Sequence, residues 1–281
     1  MAPTPVPTLT LNDGVTIPQL GLGVWQVDPA ICARVVEDAL AIGYRSIDTA
    51  EGYRNEEGVG EALRRSGLSR NDVFITSKLR NGAHRRDDAL RAFDDTMAKL
   101  GVEVLDLFLI HWPLPSYDLY VEAWQVLVEL KAAGRIRSIG TSNFNPDHLE
   151  RIIAETGVVP SVNQIELHPR FQQRDKRDIH QRLGIAIESW SPLGSGRMLD
   201  DAVVGEIARA KGRTVAQVIL RWHLEQGLIV IPKSIHKERM EENFALFDFS
   251  LTPEEMARID ALDLGAKGRN GNDPAVAAHL F

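Results

Sequence analysis

Apolar and polar positions fall into two alternating patterns along this chain. Short apolar runs read as buried strands: Tyr44-Arg45-Ser46-Ile47-Asp48, Val73-Phe74-Ile75-Thr76-Ser77-Lys78, and Val104-Leu105-Asp106-Leu107-Phe108-Leu109-Ile110-His111. Between them, apolar residues recur at spacings of three and four, as at Leu90, Phe93, Met97 and Leu100, which marks one face of a helix. Extended along the chain, the pattern predicts strands near 19–23, 44–48, 73–78, 104–110, 137–142, 161–166, 185–190 and 228–232. Helices are predicted near 30–42, 55–66, 86–100, 119–133, 146–156, 174–183 and 214–226, with another at 237–245 after the last strand. Gly43, Gly67, Gly101, Gly134, Gly157, Gly184 and Gly227 each follow a helical stretch and act as stop signals.

At the start, Thr8-Leu9-Thr10-Leu11 and Val15-Thr16-Ile17 flank Asn12-Asp13-Gly14, so residues 1–18 are expected to form a hairpin lying over one end of the fold. Segments 200–211 and 252–262 are two extra helices; Thr252-Pro253-Glu254-Glu255 reads as a capped start for the second. From Gly265 to residue 281 the chain reads as an irregular tail loop.

Strands alternating with helices predict an α/β fold with a parallel sheet, and eight strands close a (β/α)8 TIM barrel of about 250 residues. The 281 residues fit one such domain, 1–281. The rival is a doubly wound open sheet, which would carry a glycine-rich phosphate fingerprint after its first strand. That place holds Gly21-Leu22-Gly23-Val24-Trp25-Gln26, which lacks the third glycine and puts a tryptophan where a pyrophosphate would approach.

Composition narrows the setting. Hydrophobic residues make up 44% and charged residues 25%, as in ordinary globular proteins, and the net charge of −7 argues against a general nucleic-acid or membrane-surface binder. Single Cys32, read as a packing residue, admits no internal disulfide and points to a reducing, cytoplasmic setting. The N-terminus, Met1-Ala2-Pro3-Thr4-Pro5, lacks the features of a signal peptide, and no apolar stretch approaches membrane-span length.

In a parallel barrel the strand ends converge on the face where chemistry is done. Asp48, Tyr53, Lys78 and His111 stand at or just beyond three successive strand ends. A phenol has a reference pKa of about 10, and lowering it toward neutrality takes about 4 kcal/mol. One ammonium at about 4 Å in an effective dielectric of about 20 supplies that much, so Lys78 is expected to acidify Tyr53. Asp48 would pair with Lys78, and His111, as a neutral ring, would polarise a carbonyl. Together they suit delivery of a proton to a carbonyl oxygen while hydride arrives at carbon. Taken singly, an Asp–Lys pair or a strand-end histidine is more often structural. No side chain supplies hydride, so a redox cofactor is needed. Near 232–243, Lys233 and Ser234 end the last strand and His236, Lys237 and Arg239 add positive charge where the next helix begins, either a phosphate site or a solvated basic helix start. Eight histidines occur, but none forms a His-x-His or His-Glu-x-x-His pair, so no metal site is expected.

Gly43-Tyr44-Arg45-Ser46-Ile47-Asp48-Thr49-Ala50-Glu51-Gly52-Tyr53-Arg54-Asn55-Glu56 resembles the signature of the aldo-keto reductases. So do Leu109-Ile110-His111-Trp112-Pro113, Gly140-Thr141-Ser142-Asn143-Phe144 and Ile231-Pro232-Lys233-Ser234, in order over about residues 8–265. The resemblance implies a catalytic tetrad of Asp48, Tyr53, Lys78 and His111, with the tyrosine as acid, and an NADP(H) cofactor. It assigns Lys233, Ser234 and Arg239 to the 2′-phosphate, with Ile235 alongside, and Glu242 and Asn243 to adenine. Ser142, Asn143 and Gln164 would hold the nicotinamide carboxamide and Trp190 would stack on its ring. Ser191, Leu193, Gly194 and Ser195 would line the pyrophosphate. Tryptophan in place of the common tyrosine at Trp190, and the short loop between Trp112 and Leu119, look most like bacterial 2,5-diketo-gluconate reductases and their broad-specificity relatives. Such a mouth, walled by Trp25 and Trp112, would admit small aldehydes, dicarbonyls, keto acids and keto sugars. A monomer is implied. Relatives often have tryptophan at the place of Arg80, which either attracts an anionic substrate or, the favoured reading, is merely solvated. Arg269, His279 and Phe281 of the tail are candidates to fold over the pocket. The other class of reading is a cofactor-binding regulatory barrel with little turnover.

Overall fold

The computed structural model describes residues 6–280; the first part of the expected hairpin segment, 1–5, and Phe281 lie outside the described residues. Eight parallel strands run in chain order: β3 (Leu22–Gly23), β4 (Ser46–Asp48), β5 (Phe74–Leu79), β6 (Leu105–Ile110), β7 (Ile136–Ser142), β8 (Val162–Glu166), β9 (Ala186–Trp190) and β10 (Ile229–Val230). The sheet curls until its two edges meet. Leu20 bridges Val230 in parallel, and the Gly21 amide donates to the Val230 carbonyl at 2.9 Å. Gly23 sits at this seam because a Cβ there would lie 2.8 Å from the Ile231 carbonyl oxygen. The fold is therefore the expected (β/α)8 barrel. The first and last strands are shorter than the predicted 19–23 and 228–232, although the flanking residues still pair across the seam, the Val230 amide donating to the Gln19 carbonyl at 2.9 Å and the Gly23 amide to that of Pro232 at 3.3 Å.

Helices α1 (Pro29–Ile42), α2 (Glu56–Arg65), α3 (Arg86–Leu100), α4 (Tyr120–Ala132), α5 (Pro146–Thr156) and α6 (Arg174–Leu183) each follow a strand. Between β9 and β10 lie α7 (Ala202–Lys211) and α8 (Val215–Glu225), and α9 (Lys237–Phe244) and α10 (Pro253–Asp260) follow β10. Thus α7 and α10 are the two extra helices. The expected cap of α10 is present: Thr252 Oγ1 accepts from the Glu255 amide at 3.2 Å, and Glu255 Oε2 accepts from the Thr252 amide at 2.7 Å.

Strands β5 and β6 are buried on both faces, as parallel strands sheathed by helices must be. Their outward residues join the main core with the helices. Their inward residues Phe74, Leu107 and Leu109 meet Val162, Ile229, Leu11 and Ile17. The last two come from the hairpin of β1 (Thr8–Thr10) and β2 (Thr16–Pro18), which pair antiparallel. This apolar plug fills the N-terminal end of the barrel, and the cavity described below opens at the C-terminal ends of the strands.

The tail departs from an irregular loop. Residues Gly265–Gly268 form a 3-10 turn, and the following chain runs back over the barrel mouth. Among the described residues no helix is long and apolar enough to cross a membrane.

Candidate active site

Asp48 ends β4, Lys78 lies one residue from the end of β5, and His111 immediately follows β6. Tyr53 is carried by the 3-10 turn Glu51–Tyr53. Two buried groups hold that turn. Asn55 accepts from Thr49 Oγ1 at 2.9 Å and donates to the carbonyls of Val24 and Val27 at 2.8 and 3.2 Å. Glu51 accepts from Arg80 Nε at 2.9 Å. Arg80 is thus not merely solvated. It is the cationic partner of a buried carboxylate, and it ties the Tyr53 turn to the strand that carries Lys78.

The four candidate residues converge. Lys78 is fully buried and donates to Asp48 Oδ1 at 2.6 Å, to the Thr49 carbonyl at 2.9 Å and to the Tyr53 hydroxyl at 3.4 Å. The rings of Tyr53 and His111 meet edge to face, with centroids 5.5 Å apart. Burial pulls the Lys78 ammonium down, but Asp48 and the other groups around it outweigh this and raise it. Burial, and then Lys78, His279 and His84, hold His111 well below its ordinary range, so its ring is neutral at pH 7. Tyr53 behaves differently from the expectation. Burial is the largest influence and raises the phenol, Lys78 pulls it down, and Asp48 raises it again; the net shift is upward. Lys78 does not carry the phenol toward neutrality, because the same burial that strengthens the lysine's field also penalises the phenolate. Tyr53 therefore stands protonated, the state an acid requires.

Asp48, Tyr53 and His111 form the floor of a cavity of about 480 Å³, with Lys78 buried behind them, within the range of small-molecule sites. Asp48, Tyr53, His111, Trp25, Trp112, Ser142, Asn143, Gln164, Trp190, Ser191 and Lys233 all line it. Trp25 is 52% exposed at the rim, whereas Trp112 is 8% exposed and packs with Leu114 and Ala277. Asn143 organises one wall. It donates to the His111 carbonyl and to Ser142 Oγ, both at 3.0 Å, and accepts from Trp190 Nε1 at 2.9 Å. Leu193, Gly194 and Ser195 do not line the cavity; they lie on the adjoining loop after β9, where Ser191 and Ser195 both take positive φ. Ser234, Ile235, Arg239, Glu242 and Asn243 likewise fall outside it, around the start and body of α9. The Ser234 hydroxyl closes its own turn onto His236, and Glu242 accepts from Thr214 Oγ1 at 2.8 Å. Among the described residues, Lys233, Lys237 and Arg239 make no ion pair.

The sequence reading missed several groups. Gly271 and Asn272 of the tail line the cavity; so does His279, among the described residues the one tail candidate found there, whose ring meets Trp112 at 5.0 Å. The Asn270 and Gly271 amides donate to Glu166 at 2.7 and 2.9 Å, pinning the tail to the end of β8. Glu188, buried inside the barrel, shares the Gln164 amide with Asp48. Its signal was available: a carboxylate in the middle of a short strand that reads as buried.

A family model described as Aldo/keto reductase family matches residues 18–264. The chain belongs to the aldo/keto reductase family. An aldo-keto reductase of Mycolicibacterium smegmatis is 51% identical over 95% of this chain and 97% of its own. Methylglyoxal reductase DkgA of Escherichia coli is 47% identical over 95% and 96%. The crystal structure of a Gox0644 mutant in complex with NADPH superposes with a TM-score of 0.94 at 50% identity, covering 98% of this chain and 99% of that one. The aldo/keto reductase barrel and its carbonyl-reducing oxidoreductase chemistry are thus properties of this chain, which is an enzyme. Among the described residues no group of His, Cys, Asp or Glu side chains is arranged to hold a metal.

Proposed function

We propose that this enzyme reduces small aldehydes, ketones, dicarbonyls and keto acids or sugars to alcohols with NADPH, and that Tyr53 is the general acid. The observation that carries the reading is the Tyr53 hydroxyl, 3.4 Å from the buried Lys78 ammonium and beside a neutral His111 at the floor of the cavity.

The residues present fit the cofactor. Cationic side chains without ion-pair partners gather at the start of α9, whose N-cap residue His236 makes no side-chain cap bond, so its free amides and Lys233 and Arg239 suit a phosphate. Lys233, Ser234 and Arg239 would hold the 2′-phosphate, with Ile235, Glu242 and Asn243 along the adenosine. Ser191, Leu193, Gly194 and Ser195 would face the pyrophosphate, and Trp190 the nicotinamide. Gln164 uses its side-chain NH2 on Asp48 and Glu188, which leaves its oxygen, with Ser142 and Asn143, for the carboxamide. When bound, NADPH supplies hydride to the carbonyl carbon.

The chain's own residues manage the proton. His111 donates a hydrogen bond from its neutral ring to the carbonyl oxygen and orients it. Tyr53 transfers its phenolic proton to that oxygen. The Lys78 ammonium stabilises the phenolate left behind, and Asp48 holds Lys78 in place. Trp25, Trp112 and His279 narrow the mouth, which favours small substrates; the similarity to a methylglyoxal reductase supports a dicarbonyl among them. A cytoplasmic monomer is the setting that fits the single buried Cys32 and the family resemblance.

Loss of NADPH absorbance with methylglyoxal, phenylglyoxal and a diketo acid tests the reading. Tyr53→Phe should lower turnover about 10²- to 10⁴-fold, the usual worth of a positioned acid, while NADPH still quenches tryptophan fluorescence. Near-normal turnover of Tyr53→Phe would remove it as the acid. Lys233→Ala or Arg239→Ala should raise KM for NADPH far more than for NADH; equal effects on both would sink the 2′-phosphate assignment.

A further inference from the structure

The Gln164 side-chain nitrogen stands between two carboxyl groups. It donates to Asp48 Oδ2 at 2.7 Å and to Glu188 Oε2 at 2.5 Å. Glu188 belongs to β9 and is fully buried, and its Oε1 has no hydrogen-bond partner among the described residues. The charged and titratable groups facing it are Asp48 from β4, Lys78 from β5 and Tyr53 from the turn after β4. On its flanks β8 contributes the uncharged Gln164, and β10 pairs through Ile229 and Val230. Two carboxyls therefore share one cation. An unpaired buried carboxylate costs several kcal/mol, and two like charges on one amide repel. Asp48 has Lys78 at 2.6 Å, whereas Glu188 has no cation in direct contact. The neutral member of the pair is Glu188.

We propose that Glu188 is a positioning residue for carbonyl reduction: its uncharged carboxyl, bound to the Gln164 amide, fixes Asp48 against Lys78 and keeps the barrel interior neutral beneath Tyr53. This rests on Tyr53 being the general acid. Glu188 touches no reacting atom; it acts through Gln164 and Asp48. Burial, and then the Asp48 charge, push its carboxyl up to about 8, against Gln164 and Lys78. Above that pH the interior gains a negative charge. The added charge opposes phenolate formation at Tyr53, so proton transfer to the carbonyl slows.

The test is kcat/KM for methylglyoxal at saturating NADPH from about pH 6 to about pH 10, in wild type and Glu188→Gln. Wild type should lose rate through an alkaline limb near about 8. Glu188→Gln cannot ionise, so its limb should move up by about one unit or more. At about pH 9 it should then keep about tenfold more of its own neutral-pH rate than wild type keeps. A limb unmoved by Glu188→Gln overturns the proposal. Infrared spectroscopy gives an answer independent of the variant's folding: wild type should show a protonated-carboxyl band that disappears across the same limb, and its absence at neutral pH overturns the proposal too. Failure of the Tyr53 reading is separately visible, as NADPH binding without wild-type turnover or as a fully active Tyr53→Phe.

Discussion

Arg80 illustrates how one side chain can serve a site without entering it. Its guanidinium bonds the buried Glu51, and Glu51 begins the turn that carries Tyr53. Removing the cation leaves a buried carboxylate without its charged partner, a cost of about 1–3 kcal/mol. Arg80→Ala should therefore unfold at lower urea concentration and lose turnover to the same degree with neutral and with anionic carbonyls. A selective loss with a keto acid would instead assign Arg80 to substrate binding. The convergence of Asp48, Tyr53, Lys78 and His111 was legible from residue types at strand ends, because those ends must share one face of a barrel. The direction of the Tyr53 shift was not. It depends on how much burial opposes one lysine, which only the packed site fixes.

At the scale of elements, close helix approaches set the positions of the strands that bear the site. Gly60 of α2 faces the C-terminal end of α3, where an added Cβ would stand 2.5 Å from the Leu100 carbonyl oxygen and 2.6 Å from that of Lys99. Gly60→Ala must push these helices apart, at a cost of about 1–3 kcal/mol, read as a lower denaturation midpoint without a change in m-value. The helix stops are a different use of glycine. Gly101 ends α3 at φ 66°, its amide bonded to the Met97 carbonyl, a backbone state that L side chains rarely adopt. Local signals of this kind made the helices readable. The outer strands were less so, because β3 and β10 are two residues each and their pairing with each other joins opposite ends of the chain.

At the scale of the molecule, the tail roofs the pocket and Glu166 holds it down. Burial raises the Glu166 carboxyl, but His168 and the Gly271 and Asn270 amides outweigh this and hold it below its usual range. A depressed folded-state pKa stabilises the docked tail above the unfolded value of about 4.3, and the contribution is lost as pH falls through the folded value. Hydrogen exchange should therefore find the Asn270 and Gly271 amides protected at neutral pH and released on acidification before the barrel strands open. Glu166→Ala should expose both amides at every pH; continued protection would show that other contacts hold the tail.

The sequence by itself determined what local rules can express. Period-two and period-three-to-four patterning set the order of strands and helices, glycines set the helix stops, and the count of eight set the barrel and the face on which Asp48, Tyr53, Lys78 and His111 meet. The tertiary structure decided everything that depends on non-local distance. It paired Arg80 with Glu51, brought Gly271 and His279 against Tyr53, His111 and Trp112, more than a hundred residues upstream, joined Glu188 to Asp48 through one amide of Gln164, and kept Tyr53 protonated. Hydrogen bonding and the energetics of charge depend on ångström separations and on exclusion of water, and neither is a function of position along the chain.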